Sequence, residues 1–289
     1  MRTIVIGFEG SPGAADALRW AHREAALHDA TLTAVMAWSY LGQLHADPDA
    51  DFDVDYDEEN ARATLDTFLE RVLGAEDAAG VERHEVSDVT ARGLLDAAEG
   101  ADLLVVGARG LGGFKGMLLG SVSQHCLHHA TGPLAIIRPQ AGDHAPRNRI
   151  VVGTDGSEDA APALRWALEE GRRRNATVTV LHAWHMPYIG GSPWVVGSLD
   201  SELFEKTAFG VIDTALADQD TSGLPAPVHQ RVVHGSAASA LLDAAEEADL
   251  VVVGSRGLGG FTGLLLGSVS QQVARHATCP VVVVPTPRD

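Results

Sequence analysis

The chain has 289 residues, 45% of them hydrophobic and 21% charged, with a formal net charge of −18. That length is more than one compact α/β unit needs, and the apolar fraction is ample for two cores. The negative charge opposes the counterion release that drives binding to phosphate backbones, so nucleic acid is excluded as the principal partner.

The opening MRTIVIGFEGS reads as a first strand running into a turn, without the apolar stretch and small-residue cleavage site of an export signal. The richest apolar runs, LLVVGA and VVVV, are bounded by Gly or Pro and fall short of the ~18 residues a membrane-spanning helix needs, so no membrane association is expected. Cys126 and Cys279, the only cysteines, are too few for a disulfide framework and suit a cytoplasmic protein with two inert thiols. Strands are predicted at 3–8, 31–37, 82–87, 103–107 and 133–138, alternating with Ala- and Leu-rich helical segments. Ser11-Pro12 is a good start for the first helix, Ser as cap and Pro at the first helical position.

After Pro139 to Arg147, a stretch of linker composition, the chain repeats itself. RTIVIGFEGS recurs as NRIVVGTDGS, where Ser157 is expected to begin the equivalent helix. Trp20 recurs as Trp166, and the segment from Leu94 to Gln124 recurs from Leu241 to Gln271 with one inserted residue between the registers. This is duplication of a whole domain. Strand–helix alternation in each copy predicts an α/β fold, a five-stranded parallel open sheet of Rossmann-like or flavodoxin-like type with helices on both faces. Ligands then sit at the strand C-termini, near the switch point.

The strongest signal follows the fourth strand of each copy: Gly107-Ala-Arg-Gly110, nine residues, Gly120-Ser121, repeated as Gly254-Ser-Arg-Gly257, nine residues, Gly267-Ser268. Glycines let the backbone approach a bulky anion and adopt positive φ, and a helix opened by Ser121 or Ser268 presents unpaired N–H groups and a dipole that attract negative charge. Arg109 and Arg256 lie within the loops. A phosphate chain suits such a pocket, and local amides would have to offset the acidity of the whole molecule.

A strand, Gly-x-x-Gly-x9-Gly-Ser and a helix, preceded by an early strand ending in an acidic residue, resembles the universal stress protein family, twice and over nearly the full chain. The resemblance implies tandem domains at 1–140 and 148–289 and, from the ATP-binding branch, an ATP site in each. By that resemblance Asp155 contacts the ribose in the second copy, and the loop that holds ribose and phosphates is Gly254, Arg256, Gly257, Gly267, Ser268, Val269 and Ser270. In the first copy it is Gly107, Arg109, Gly110, Gly120, Ser121, Val122 and Ser123, with Glu9 replacing the aspartate. Ala37 and Ala183 would meet the adenine through backbone groups, while Trp38 and Trp184 read equally well as packing residues. Asp88 departs from the family pattern where Gly235 keeps it, and a local change is expected there. Family members dimerise through the last strand, so 133–138 and 281–284 are expected to bring the halves together, with further pairing of whole chains into a homodimer.

Other signals are set aside. Lys115 in GLGGFKG is not a Walker A lysine, since Phe114 precedes it, no Ser or Thr follows it, and the second copy has Thr262 there. The glycines follow the fourth strand, not the first, which disfavours NAD. DPDADFDVDYDEE spaces its carboxylates like a calcium loop, but Phe52 stands at the turn position that needs glycine, and a solvated acidic loop is preferred. His125, His128 and His129 read as a partly exposed helix face, because the second copy has Gln272, Arg275 and His276 there, so no metal site is expected. The functional expectation is a stress or regulatory protein that binds ATP, with magnesium on the nucleotide, without efficient turnover; a slow ATPase or phosphotransferase and an interaction module with vestigial pockets are the alternatives.

Overall fold

The computed structural model describes residues 2–8, 11–38, 58–87, 90–110, 118–138, 146–185, 201–258 and 266–286. The chain divides into two compact units whose main division falls between Asp143 and His144.

In the first unit the β-branched run of β1 (Arg2–Phe8) leads into α1 (Pro12–His28). The Ser11 hydroxyl accepts the Ala14 N–H at 3.0 Å, and Pro12 sits where its missing N–H costs nothing, as the sequence predicts. The helix ends on Asp29 at φ 51°, whose N–H reaches back to the last carbonyls. There follow β2 (Ala30–Trp38), α2 (Glu58–Leu73), a short α3 (Ala75–Ala79), β3 (Glu82–Ser87), α4 (Thr90–Ala97), β4 (Leu103–Gly107), α5 (Ser121–His129) and β5 (Leu134–Ile137).

The second unit runs β6 (Arg149–Gly153), a single 3-10 turn (Glu158–Ala160), α6 (Ala161–Arg174), β7 (Thr177–Trp184), α7 (Ser201–Ala217), β8 (His229–His234), α8 (Ala237–Ala245), β9 (Leu250–Gly254), α9 (Ser268–His276) and β10 (Val281–Val284). Here the expectation at Ser157 needs correcting. It precedes the 3-10 turn, and the α-helix starts three residues after Glu158, at Ala161. The reason is local: the Ser157 hydroxyl donates to Asp155 Oδ1 at 2.6 Å and makes no cap to the helix.

Each unit is a parallel sheet, ordered β3-β2-β1-β4-β5 in the first and β8-β7-β6-β9-β10 in the second. Sheet order reverses direction between β1 and β4, and between β6 and β9, so two carboxyl ends diverge there and leave a crevice above the sheet. β4 and β9 are buried along their whole length, which is why both read as unbroken apolar runs. The outer strands β3 and β8 carry charged and polar side chains, and β8 has no fully buried residue. Among the described residues, no helix is long and apolar enough to cross a membrane.

Candidate functional site

The reversal of strand order sets the site. β6 and β9 are hydrogen-bonded neighbours, Ile150 opposite Leu250 through Val152 opposite Val252. The turn after β6 and the loop after β9 therefore leave the sheet side by side, although they lie about a hundred residues apart in sequence.

Asp155 ties them together. Its Oδ1 accepts the Ser157 N–H at 3.0 Å and the Ser157 hydroxyl at 2.6 Å, and its Oδ2 accepts the Leu258 N–H at 2.5 Å. Gly257 is required beneath it, because a Cβ there would collide with Oδ2. Each carboxylate oxygen offers two lone-pair positions, so Oδ2 keeps one for a further donor such as a sugar hydroxyl. Thr154 supports the turn: its Oγ1 accepts the Gly156 N–H at 3.2 Å, and its carbonyl oxygen accepts from His182 Nδ1 at 2.9 Å.

The glycines that end β9 and open α9 do steric work. A Cβ on Gly254 would lie 3.2 Å from the Arg256 carbonyl oxygen and 3.4 Å from that of Asp159. Its counterpart Gly107 would place one 3.0 Å from the Gly13 carbonyl oxygen. None of Gly107, Gly254 and Gly257 has positive φ, and Gly120 and Gly267 have φ of −71° and −76°. The expectation that these loop glycines adopt positive φ is thus corrected: Gly107 and Gly254 serve close approach of backbone to backbone, and Gly257 makes room for the Asp155 carboxylate.

Each loop is closed the same way. The Gly267 N–H donates to Ser255 O at 2.7 Å, and the Gly120 N–H to Ala108 O at 2.8 Å. The buried Ser270 hydroxyl donates to Gly254 O at 2.5 Å, and Ser123 to Gly107 O at 2.6 Å. These hydroxyls lash the helix to the strand end, so whatever Ser123 and Ser270 offer a ligand comes through their backbone N–H groups. Gly120 and Gly267 are the N-caps, and neither helix has a side chain capping it. By helix geometry the first-turn amides of Ser121, Val122 and Ser123, and of Ser268, Val269 and Ser270, have no intrahelical acceptor. Uncapped helix N-termini are of the chemical type that suits anions.

The copies differ around this shared frame. Arg109 is exposed and Arg256 half-buried. In the first copy the Arg138 guanidinium donates to Leu118 O at 3.2 Å, and burial together with the positive charge of Arg109 pushes its pKa below the ordinary arginine value. The second copy has Pro285 there. Gly110 is half-buried at the end of the described part of its loop. Ala37 and Ala183 sit near the ends of β2 and β7, opposite Val86 and Val233 on the outer strands. Trp184 stacks on Phe204 at 5.9 Å and lies 4.6 Å from His234, which makes it a packing residue. Glu9, Asp88, Lys115 and the acidic stretch 47–57 lie outside the described residues. At Gly235, the partner of Asp88, φ is 131°, a backbone state that an aspartate rarely takes.

Sequence reasoning missed the bond of Ser157 to Asp155, and missed Leu258, Gly13 and Thr286 altogether. The Leu258 N–H closes the Asp155 bridge, and Gly13 admits the Arg109 carbonyl, which a Cβ would meet at 2.6 Å. Thr286 bonds both Ser255 Oγ and the Asp159 carbonyl at 3.4 Å. The repeated Gly-Ser after the acidic residue was the one signal that pointed towards Ser157.

The model of the universal stress protein family matches residues 1–138 and again 146–285. The chain belongs to the universal stress protein family. A universal stress protein of Mycolicibacterium smegmatis is 36% identical over 97% of this chain and 96% of its own length. One of Mycobacterium tuberculosis is 35% identical over 97% of this chain and 95% of its own. A crystal structure of a universal stress protein from Archaeoglobus fulgidus, 20% identical, superposes with a TM-score of 0.66 over 98% of both chains, which extends the likeness of fold to the tandem arrangement of elements.

Proposed function

We propose that this universal stress protein binds ATP in the crevice of each unit and acts as a regulatory protein whose interactions change with occupancy, without efficient turnover. The observation that carries the reading is the pairing, at the switch point, of an uncapped helix N-terminus with an acidic side chain held by the loop itself. The amides of Ser268, Val269 and Ser270 receive phosphate oxygens, and Asp155 receives a ribose hydroxyl. Adenine lies towards the β7 end, against backbone groups near Ala183. The first unit repeats the amide cradle at Ser121, Val122 and Ser123, with Arg109 at its rim and Glu9 in the acidic role. Magnesium enters with the nucleotide, on the phosphate oxygens. The protein works in the cytoplasm as a homodimer of tandem chains.

The test is to denature the purified protein, identify any released adenine nucleotide by chromatography, and titrate the nucleotide-free protein with ATP. Adenine nucleotide release, or saturable ATP uptake, supports the reading. Neither one, in protein shown to be folded, overturns it. Phosphate release is then followed with magnesium over hours, and brisk release would move the assignment to an ATPase.

A further inference from the structure

The histidines of the first unit gain a meaning that their sequence positions do not carry. His125 and His129 lie one turn apart on α5, and their rings stand 4.3 Å apart, centroid to centroid, at 33°. Both side chains are exposed. Two imidazoles at that spacing, on neighbouring turns of one helix face, can present nitrogens to a single ion. His129 ends the helix and His125 lies one turn before it, so His129 stands where unpaired carbonyls and the dipole favour positive charge.

His129 also lines a cavity of about 270 Å³ whose wall includes Asp96, Glu99 and Thr131. The second unit supplies the contrast: Asp243 and Glu246 match the carboxylates and His276 matches His129, but Gln272 stands in place of His125. Nearby, Arg275 also stands in place of His128 and Cys279 in place of Gly132.

We propose that His125 and His129 form a site for a borderline divalent transition metal such as Ni²⁺, Zn²⁺ or Cu²⁺, present in the first unit alone. Imidazole suits these ions better than magnesium or calcium, which seek oxygen ligands. The site shares α5 with the amides of Ser121, Val122 and Ser123 but uses none of them, so metal uptake is read separately from nucleotide binding.

The experiment is calorimetric titration of the full, tag-free chain with Ni²⁺ at a pH of about 8, where imidazole is neutral. Wild type takes up one equivalent saturably. His125→Gln and His129→Gln each weaken uptake at least about tenfold, since either leaves a single imidazole. Both residues are exposed, so unchanged circular dichroism and melting confirm that the fold is kept. Gln272→His rebuilds the pair with His276 and adds a second equivalent. No saturable uptake by wild type, equal uptake by wild type and His125→Gln, or no added equivalent in Gln272→His overturns the proposal.

Discussion

Replacing both N-cap glycines, Gly120→Val with Gly267→Val, separates nucleotide binding from folding. Gly267 holds φ −76° and ψ 153°, and Gly120 holds φ −71° and ψ 161°, a region open to any residue. A Cβ at 267 would meet Ser255 O at 3.5 Å, Arg256 Cα at 3.7 Å and Ser270 Oγ at 3.8 Å, and one at 120 would meet its three nearest atoms at 3.6 Å, all ordinary van der Waals contacts. Losing glycine at an N-cap costs about 0.5–1 kcal/mol per helix, while the reduced freedom of the unfolded chain returns about 0.4–1 kcal/mol. The two offset each other to within about 1 kcal/mol, which for units of this size moves the melting temperature by about 4 °C or less. The valine methyls nevertheless stand beside the first-turn amides that the phosphates need. ATP affinity is expected to fall at least tenfold, about 1.4 kcal/mol. Calorimetry with ATP, beside thermal melting of the same samples, reads both quantities. An unchanged ATP titration in a double variant with unchanged melting would refute the placement of the phosphates.

Three further outcomes are expected. Gly257→Ala drives its Cβ into Asp155 Oδ2 and breaks the bond to the Leu258 N–H, which should cost about 1–3 kcal/mol in urea unfolding and weaken ATP binding in the second unit. Ser270→Ala removes the donor to the Gly254 carbonyl in a buried setting, and the unsatisfied oxygen should again cost about 1–3 kcal/mol; a midpoint equal to wild type would show that the lashing contributes nothing. Burial pushes the thiols of Cys126 and Cys279 up to about 12 from the ordinary 9.0, so between those values the unfolded chain releases protons that the folded chain retains. Stability should therefore fall as pH rises through that window, and Cys126→Ala with Cys279→Ala should flatten the fall in urea midpoints measured across it.

Much of this was written locally. The duplication, the alternation of strands and helices, the Ser11-Pro12 helix start and the spacing of the glycines are properties of neighbours along the chain, and the structure reproduces the strands to within a residue at each end. β4 and β9 were legible because a strand buried on both faces must be apolar throughout. Ser157 misled because its hydroxyl had two local uses, capping a helix or bonding Asp155, and the sequence does not rank them.

What the tertiary structure alone decided is which distant groups meet. Asp155 and the Leu258 N–H are 103 residues apart, and only the parallel pairing of β6 with β9 brings the turn of one to the loop of the other. Gly107, Gly254 and Gly257 were expected to supply positive φ and proved to be places where a side chain has little room, a distinction set by the groups across the gap. Ser123 and Ser270 likewise spend their hydroxyls on carbonyls sixteen residues back. Periodicity and composition record what each residue prefers for itself, while a hydrogen bond or a steric limit between remote segments exists only once the sheet has placed both of its ends.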